Sequence, residues 1–504
     1  MSIGGVGSLH LSRRAAAGLV ALAALAWALA LGAAPAPAAQ KLVRIETPSA
    51  HVDPSTQDLA GPVHPGMGEH PGRLLANVLL PDGYTPRKRY PLLLLFHGAG
   101  ERFDSWADPV LGDIHETAKG LNAVIVMPEG AHGFYADWWN GGERDNPGWE
   151  TWIREELLPE VERRFSIRPE RRYHAVAGFS MGGYGTWLTA AMLPGYFGTA
   201  VPLSAFASIR TAESVAAFQI ASGGAPYETV YGPSDGFYAE GHDPVALGPN
   251  LARTRLDVRT GDGQPDPAVR PENDPSHPGY VTEGDAISLV LEGVLKTQND
   301  EAVAAVRATG SKTVDYAVHK GSHDWEFWRP DLRAAIRKGL FRPVVERPKR
   351  WTYRSASARG RAWDIRFQID PAPAAVTTFE RDGRRLTVTG AGRITIADEN
   401  GCRHAAALPL DRTLPARPCR GLKLTVKGKL RRHRASRIKV TVKGPDLDRK
   451  VGPVEAARVK LGGRTALTDA RGRAVLKVRA KRRGKLRITV SKAGFRTAAK
   501  RIAV

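Results

Sequence analysis

Short, uninterrupted apolar runs recur through the first two-thirds of the chain. Pro91–Phe96 reads PLLLLF and Asn122–Met127 reads NAVIVM. Similar runs follow at His174–Gly178, Thr199–Leu203, Arg255–Arg259 and Thr313–Val318. Each has the length of a strand and, apart from Arg255–Arg259 (RLDVR), none alternates apolar with polar, so both faces of each strand are expected to be buried. Between the runs lie stretches of helical period. In the clearest, Trp149, Trp152, Ile153, Leu157, Leu158, Val161 and Phe165 fall on one stripe, as in a helix packed against a sheet. Strands of this kind separated by helices predict a parallel sheet covered on both faces, from about Gly72 to Arg342.

Past Arg342 the helical period stops, and Arg347-Pro348-Lys349-Arg350 marks a boundary. Short strand-like pieces follow at Trp363–Gln368, Arg385–Val388, Arg393–Ala397, Leu422–Val426 and Ile438–Val442. Turn pairs such as Asp382-Gly383 and Asn400-Gly401 separate them, the punctuation of all-β material. The expected fold class is therefore α/β followed by all-β. A chain of 504 residues has room for several cores. The expected division is an α/β domain at 40–345, a small β domain at 346–420 and a basic β-sandwich at 421–504.

Residues 1–39 read as an export signal. Arg13 and Arg14 precede an uncharged apolar run from Ala15 to Ala34, and Ala36-Pro37-Ala38 supplies a small-x-small cleavage pattern. The expected location is outside the cell or on the cell envelope. The two cysteines, Cys402 and Cys419, then read as one disulfide. Two such ligands are too few for a metal site, and neither metal nor organic cofactor is implied.

Charge divides the chain. From Trp351 to the end there are 39 Lys and Arg against 11 Asp and Glu, whereas the residues before it carry 34 against 40. Dense runs at Arg431-Arg432-His433-Arg434 and Lys481-Arg482-Arg483 suit an anionic cell-wall polymer or lipid. Scarce aromatics and the lack of a recognition motif argue against nucleic acid.

The chemistry concentrates in three places. Gly178-Phe179-Ser180-Met181-Gly182-Gly183 follows an apolar strand and precedes a helical run, the setting of a nucleophile elbow. Flanking glycines permit the tight turn, and the helix start directs N–H groups at developing negative charge. Phe96-His97-Gly98-Ala99-Gly100 ends an earlier strand, where a second oxyanion donor belongs. The expected donors are the N–H groups of Ala99 and Met181. Gly321-Ser322-His323-Asp324 follows the last strand, where the order Ser, acid, His puts the general base. His97, His132, His174 and His242 read as structural or surface residues.

Taken together, residues 91–332 resemble the secreted esterase family of α/β-hydrolases that includes the mycobacterial mycolyltransferases and, more distantly, S-formylglutathione hydrolases and feruloyl esterases. The matching pieces are Val126-Met127-Pro128, Gly133-Phe134-Tyr135-Ala136-Asp137-Trp138, Trp149-Glu150-Thr151, Gly178-Phe179-Ser180-Met181 and His323-Asp324-Trp325-Glu326-Phe327-Trp328. The resemblance implies an α/β-hydrolase fold and a serine esterase or acyltransferase working through an acyl-enzyme, with an ester as donor and water, an alcohol or a sugar as acceptor. In the mycolyltransferase branch the acid is a Glu on a helix about thirty residues before the His, which here is Glu292. In the formylglutathione-hydrolase branch it follows a strand directly, which here is Asp262. The first fits better, so the expected triad is Ser180, His323 and Glu292. No lipid groove or sugar site is identifiable, and mycolate specificity is not carried over. The rival reading is an inactive hydrolase-fold protein serving as a surface binding protein. The last residues, through Val454–Leu461, Thr468–Ala474 and Ser491–Arg496, resemble the Ig-like or carboxypeptidase regulatory-like modules of secreted bacterial proteins.

Overall fold

The computed structural model describes residues 40–52, 73–144, 147–222, 224–266, 283–447 and 449–504. The expected export signal lies outside them. One eight-stranded sheet organises the first part of the chain. Its strands are β1 (Lys41–Pro48), β2 (Arg73–Leu80), β3 (Leu92–Phe96), β4 (Val124–Pro128), β5 (His174–Phe179), β6 (Thr199–Leu203), β7 (Arg255–Gly261) and β8 (Val314–His319). They lie in the order β1-β2-β4-β3-β5-β6-β7-β8.

The sheet shows why its strands carry no polar alternation. Leu92, Leu94 and Phe96 join one core while Leu93 and Leu95 join the other. On β4, Val124 and Val126 face one way and Ile125 and Met127 the other. Each buried leucine contributes about 1.5–3 kcal/mol, and both faces need covering. The stripe from Trp149 to Val161 lies in the first of these cores. Its helix is interrupted: Trp149–Trp152 and Leu158–Arg164 are α-helical, and one π turn, Ile153–Leu157, joins them.

The sheet is not wholly parallel, which corrects the expectation. β1 pairs antiparallel with β2, and β2 antiparallel with β4. β1 is an edge strand with half of its residues exposed, so it lacks the apolar run that marks β2 to β6; β8, the other edge, has no fully buried residue, against the expectation of two buried faces.

Residues 350–413 form two four-stranded antiparallel sheets packed around Tyr353, Ile365, Phe367, Phe379 and Ile396. The Cys402–Cys419 disulfide closes behind them. From Lys423 onward two further antiparallel sheets enclose Ile438, Val440, Val442, Val459, Ile488 and Val490. A short parallel pairing of Arg420–Gly421 with Phe495–Arg496 joins the disulfide region to this last unit. An Arg89–Glu455 ion pair joins that unit to the α/β part.

Candidate active site

Three α-helices matter for the site: α1 (Met181–Met192), α2 (Glu283–Ala308) and α3 (Trp325–Lys338). Ser180 sits between β5 and α1 with φ 54° and ψ −122°, a strained backbone that persists only when its surroundings hold it. They do. The Ser180 N–H donates to Leu203 O (3.0 Å), and its carbonyl accepts from Phe206 N (3.4 Å). A Cβ on Gly178 would lie 2.5 Å from Gly182 O, and one on Gly182 would collide with the His97 carbonyl. The elbow thus packs too closely on the end of β3 to admit side chains there.

Met181 opens α1, so its N–H has no acceptor within the helix. Ala99 lies just past the tip of β3, half-buried. The loop carrying it is tightly held. Trp106 Nε1 donates to Phe96 O (2.9 Å) and Tyr135 Oη to His97 O (3.1 Å). His97 is buried, with Nδ1 2.8 Å from Gly98 O. Its Nε2 lies 3.3 Å from Glu129 Oε1, an ion-pair distance with poor hydrogen-bond alignment. Burial alone would push the Glu129 carboxyl up. His97 and the N–H groups of Gly130 and Ala131 outweigh it and hold the carboxyl down at about 2. A buried charge is tolerated when paired and hydrogen-bonded in this way.

His323 lies in the turn between β8 and α3. Its Nδ1 is 2.8 Å from Glu292 Oε2. Glu292 is fully buried on α2, and its other oxygen accepts from Ser204 Oγ (2.8 Å), Thr260 Oγ1 (2.8 Å) and the Gly261 N–H (2.6 Å). These donors stand at the ends of β6 and β7, so the carboxylate is held by the sheet itself. One turn earlier on α2, Ser288 clamps the His323 backbone. Ser288 Oγ accepts from His323 N (2.9 Å) and donates to His323 O (3.1 Å). Asp262 is placed differently. It is half-buried, and its Oδ1 accepts from Gln264 N (2.9 Å), closing its own turn. Among the described residues it makes no contact with His323.

An aromatic column connects the serine and histidine segments. Phe179, next to Ser180, stacks on Trp328 at 4.0 Å, and the Trp328 ring meets the His323 ring edge-on at 4.9 Å. No hydrogen bond joins Ser180 Oγ to His323 Nε2 in this structure. On the far side of the turn, His319 Nε2 lies 2.9 Å from Asp331 Oδ2. That carboxylate raises His319 to about 9. Among the described residues no group of three or more His, Cys, Asp or Glu is arranged to hold a metal.

His174 and His242 are buried and bonded to backbone carbonyls, and His132 is half-buried against Ala221 O. Sequence reasoning passed over Glu129, Ser204, Thr260 and Ser288. For Glu129 there was a signal, a carboxylate directly after the β4 run. The three hydroxyl residues had none, because their role depends on which strand ends meet. A cleft of about 660 Å³ lies elsewhere. Tyr196, Trp363, Arg366 and Lys450 are among its lining residues. Tyr196 lies past the far end of α1, a helix about 18 Å long that starts next to Ser180.

A strand–turn–helix elbow over a mostly parallel sheet, with a histidine–carboxylate pair at the same sheet end, places the chain among the α/β-hydrolases. The family model described as "Putative esterase" matches residues 69–338, more than half of the chain. The chain belongs to that family. It is 41% identical over 148 residues to Esterase Rv1288 of Mycobacterium tuberculosis (strain ATCC 25618 / H37Rv), a match spanning 29% of this chain and 31% of that protein. It is 26% identical over 227 residues to the diacylglycerol acyltransferase/mycolyltransferase Ag85B of Mycolicibacterium smegmatis, covering 42% of this chain and 65% of that one. Among solved structures, Mycobacterium tuberculosis MPT51 aligns at 21% identity and a TM-score of 0.43, over 55% of this chain and 95% of its own. The chain thus spans about a third of the length of the curated relative it matches at 41%.

Proposed function

We propose that this protein is an exported serine carboxylic-ester hydrolase or acyltransferase with Ser180 as nucleophile, His323 as general base and Glu292 as the acid. One observation carries the reading: His323 is paired through Nδ1 with a buried carboxylate, at the sheet end where the strained elbow presents Ser180. With Nδ1–H given to Glu292, Nε2 is left to accept the Ser180 proton. Oγ then attacks the ester carbonyl. The N–H groups of Met181 and Ala99 receive the oxyanion, a contribution of several kcal/mol. Collapse expels the alcohol, which takes the proton back from His323 Nε2. Water or an acceptor alcohol resolves the acyl-enzyme by the same steps reversed. The open Oγ–Nε2 contact is compatible with this, since such bonds often tighten only with substrate.

Family membership and the relatives named esterase and mycolyltransferase support the reaction class. The disulfide supports export, because such bonds persist in oxidising compartments. The basic C-terminal part suits retention at an anionic envelope polymer.

The test is hydrolysis of p-nitrophenyl esters from acetate to long acyl chains by the full chain and by Ser180→Ala. Activity lost in the variant is the expected result. Wild type inactive on every ester would move the assignment to a surface binding protein with an inactive hydrolase fold.

A further inference from the structure

The C-terminal sandwich carries an unusual outer face. Strands Lys423–Lys427, Ala435–Pro445 and Arg473–Arg479, with the short edge strand Val451–Pro453, form one of its sheets. Their side chains alternate strictly between the core and solvent. The register puts like charges directly opposite one another: Lys423 faces Lys443, Lys427 faces Lys439, and Arg437 faces Lys477. Arg473 and Arg479 complete the face, and Thr425, Thr441, Ala435 and Val475 fill the gaps. No acidic side chain shares it, and none of its cations is ion-paired among the described residues. Like charges directly opposite destabilise a sheet. This face therefore carries a repulsion that only an external anion relieves.

The two basic runs conspicuous in the sequence extend the same face. Arg432 bridges to Ala480, the His433 N–H donates to Ala480 O (2.8 Å), and Arg479 Nε donates to His433 O (2.9 Å). Arg431-Arg432-His433-Arg434 and Lys481-Arg482-Arg483 are thus brought together at one end of the cationic sheet, all exposed. The opposite sheet is sparser. Its one directly opposed cation pair is Arg487 with Arg501, while Arg458 and Lys460 face Leu467, Ser491, Thr465 and Thr489.

We infer that this face binds a linear phosphodiester polymer laid across its strands. The inference deepens the envelope-retention reading, and it stands whether or not the triad is active. Neighbouring cations along a strand stand two or four residues apart, about 7 or 14 Å, and directly opposed ones roughly 5 Å apart across strands. An extended polymer with one phosphodiester per three-carbon unit has a similar charge repeat. Lysine and arginine both take phosphate, lysine as a point charge and arginine as a fork. The face offers no aromatic platform for stacked bases. Its apolar side chains larger than alanine are Val475 and, where the edge strand Val451–Pro453 pairs, Val451, Pro453 and Pro445, with no aromatic among them, too little to enter a bilayer.

The test measures binding of the full chain to end-labelled poly(glycerol phosphate) by anisotropy, across a salt series. One variant combines Lys427→Gln, Lys439→Gln, Arg437→Gln and Lys477→Gln. A charge-matched control combines Arg458→Gln, Lys460→Gln, Arg487→Gln and Arg501→Gln on the opposite sheet. All eight positions are exposed, and unchanged thermal midpoints verify that both variants fold. The first variant should lose roughly tenfold or more in affinity at low salt, and its salt slope should fall by up to about 3. The control should lose about threefold at most. Equal losses in both variants would overturn the inference, reducing it to net charge. So would no binding by wild type at low salt, or tighter, equally face-dependent binding to double-stranded DNA or to phosphatidylglycerol vesicles. An inactive esterase that still binds the polymer would sink the catalytic reading and leave this one standing.

Discussion

The α/β part and the terminal sandwich handle charge in opposite ways. In the first, the telling charges are buried and matched. Glu292 is fully buried and accepts four hydrogen bonds. Glu129 is buried against His97, and Arg171 is buried among the carbonyls of Pro194, Val345 and Arg253. In the second, strand after strand sends its cations outward with like facing like. Buried charge is costly unless every lone pair is met, so its position is specified to a fraction of an ångström. That precision is what acyl transfer requires. Exposed charge is cheap and screened. It specifies little geometry but summates over a face, as adhesion requires. One chain thus holds the two treatments of charge in two kinds of fold.

The comparison breaks first at Ser180. Ser180→Ala should lower kcat/KM on any accepted ester by about 10⁴-fold or more, with the thermal midpoint unchanged, since alanine keeps the same backbone strain. The buried carboxylate comes next. Glu292→Gln should cost about 10²–10⁴-fold in kcat, whereas Asp262→Asn should stay within about twofold, because Asp262 caps its own turn. Reversed sizes would show that burial is a poor guide to the acid here. Ser288→Ala should lower kcat by roughly tenfold with KM little changed, through a looser His323 backbone, at a stability cost of about 1 kcal/mol. Loss of stability without loss of kcat would make Ser288 purely structural.

Smaller effects sharpen the contrast. His319 is raised to about 9 by Asp331, so their pairing contributes stability that is complete below pH 6.5 and is lost as pH rises through about 9. Solvent screening of the half-buried ring keeps the effect to about 1–2 kcal/mol. Asp331→Asn should therefore lower the urea midpoint at pH 6 much more than at pH 10. An equal drop at both would remove the His319 charge from the explanation and leave the Asp331 contact with Arg259. Smallest of all, Lys427→Gln with Lys439→Gln should change neither esterase activity nor stability by more than about 0.5 kcal/mol, with any change at low salt being a gain. A large loss would mean that the outer face holds the sandwich together.

Much of this was legible in the sequence, for identifiable reasons. β3 to β6 announced themselves because each is buried on both faces, which forces unbroken apolar runs, whereas β7 carries Arg255, Asp257 and Arg259 and the far edge strand β8 has no fully buried residue. β1 escaped notice because an edge strand has no such constraint. The elbow was legible because close backbone approach leaves glycine as the residue that fits at positions 178 and 182. The choice between Glu292 and Asp262 rested on resemblance and not on the residues themselves. What separates them spatially is the meeting of Ser204, Thr260 and Gly261, which are 88, 32 and 31 positions from Glu292. No local pattern encodes such a meeting. The cationic face was half legible. The basic runs were plain, but their union through Arg432 and Ala480 is a matter of register.

The central claim is that Ser180 is activated through His323 by the buried Glu292. It is tested most directly by fluorophosphonate labelling of the folded chain, followed by peptide mapping and by labelling rates for Glu292→Gln and Asp262→Asn. The account predicts one adduct, on Ser180, formed far more slowly in Glu292→Gln and at the wild-type rate in Asp262→Asn. Folded protein that takes up no probe, an adduct on another residue, or a rate that depends on Asp262 and not on Glu292 would contradict it.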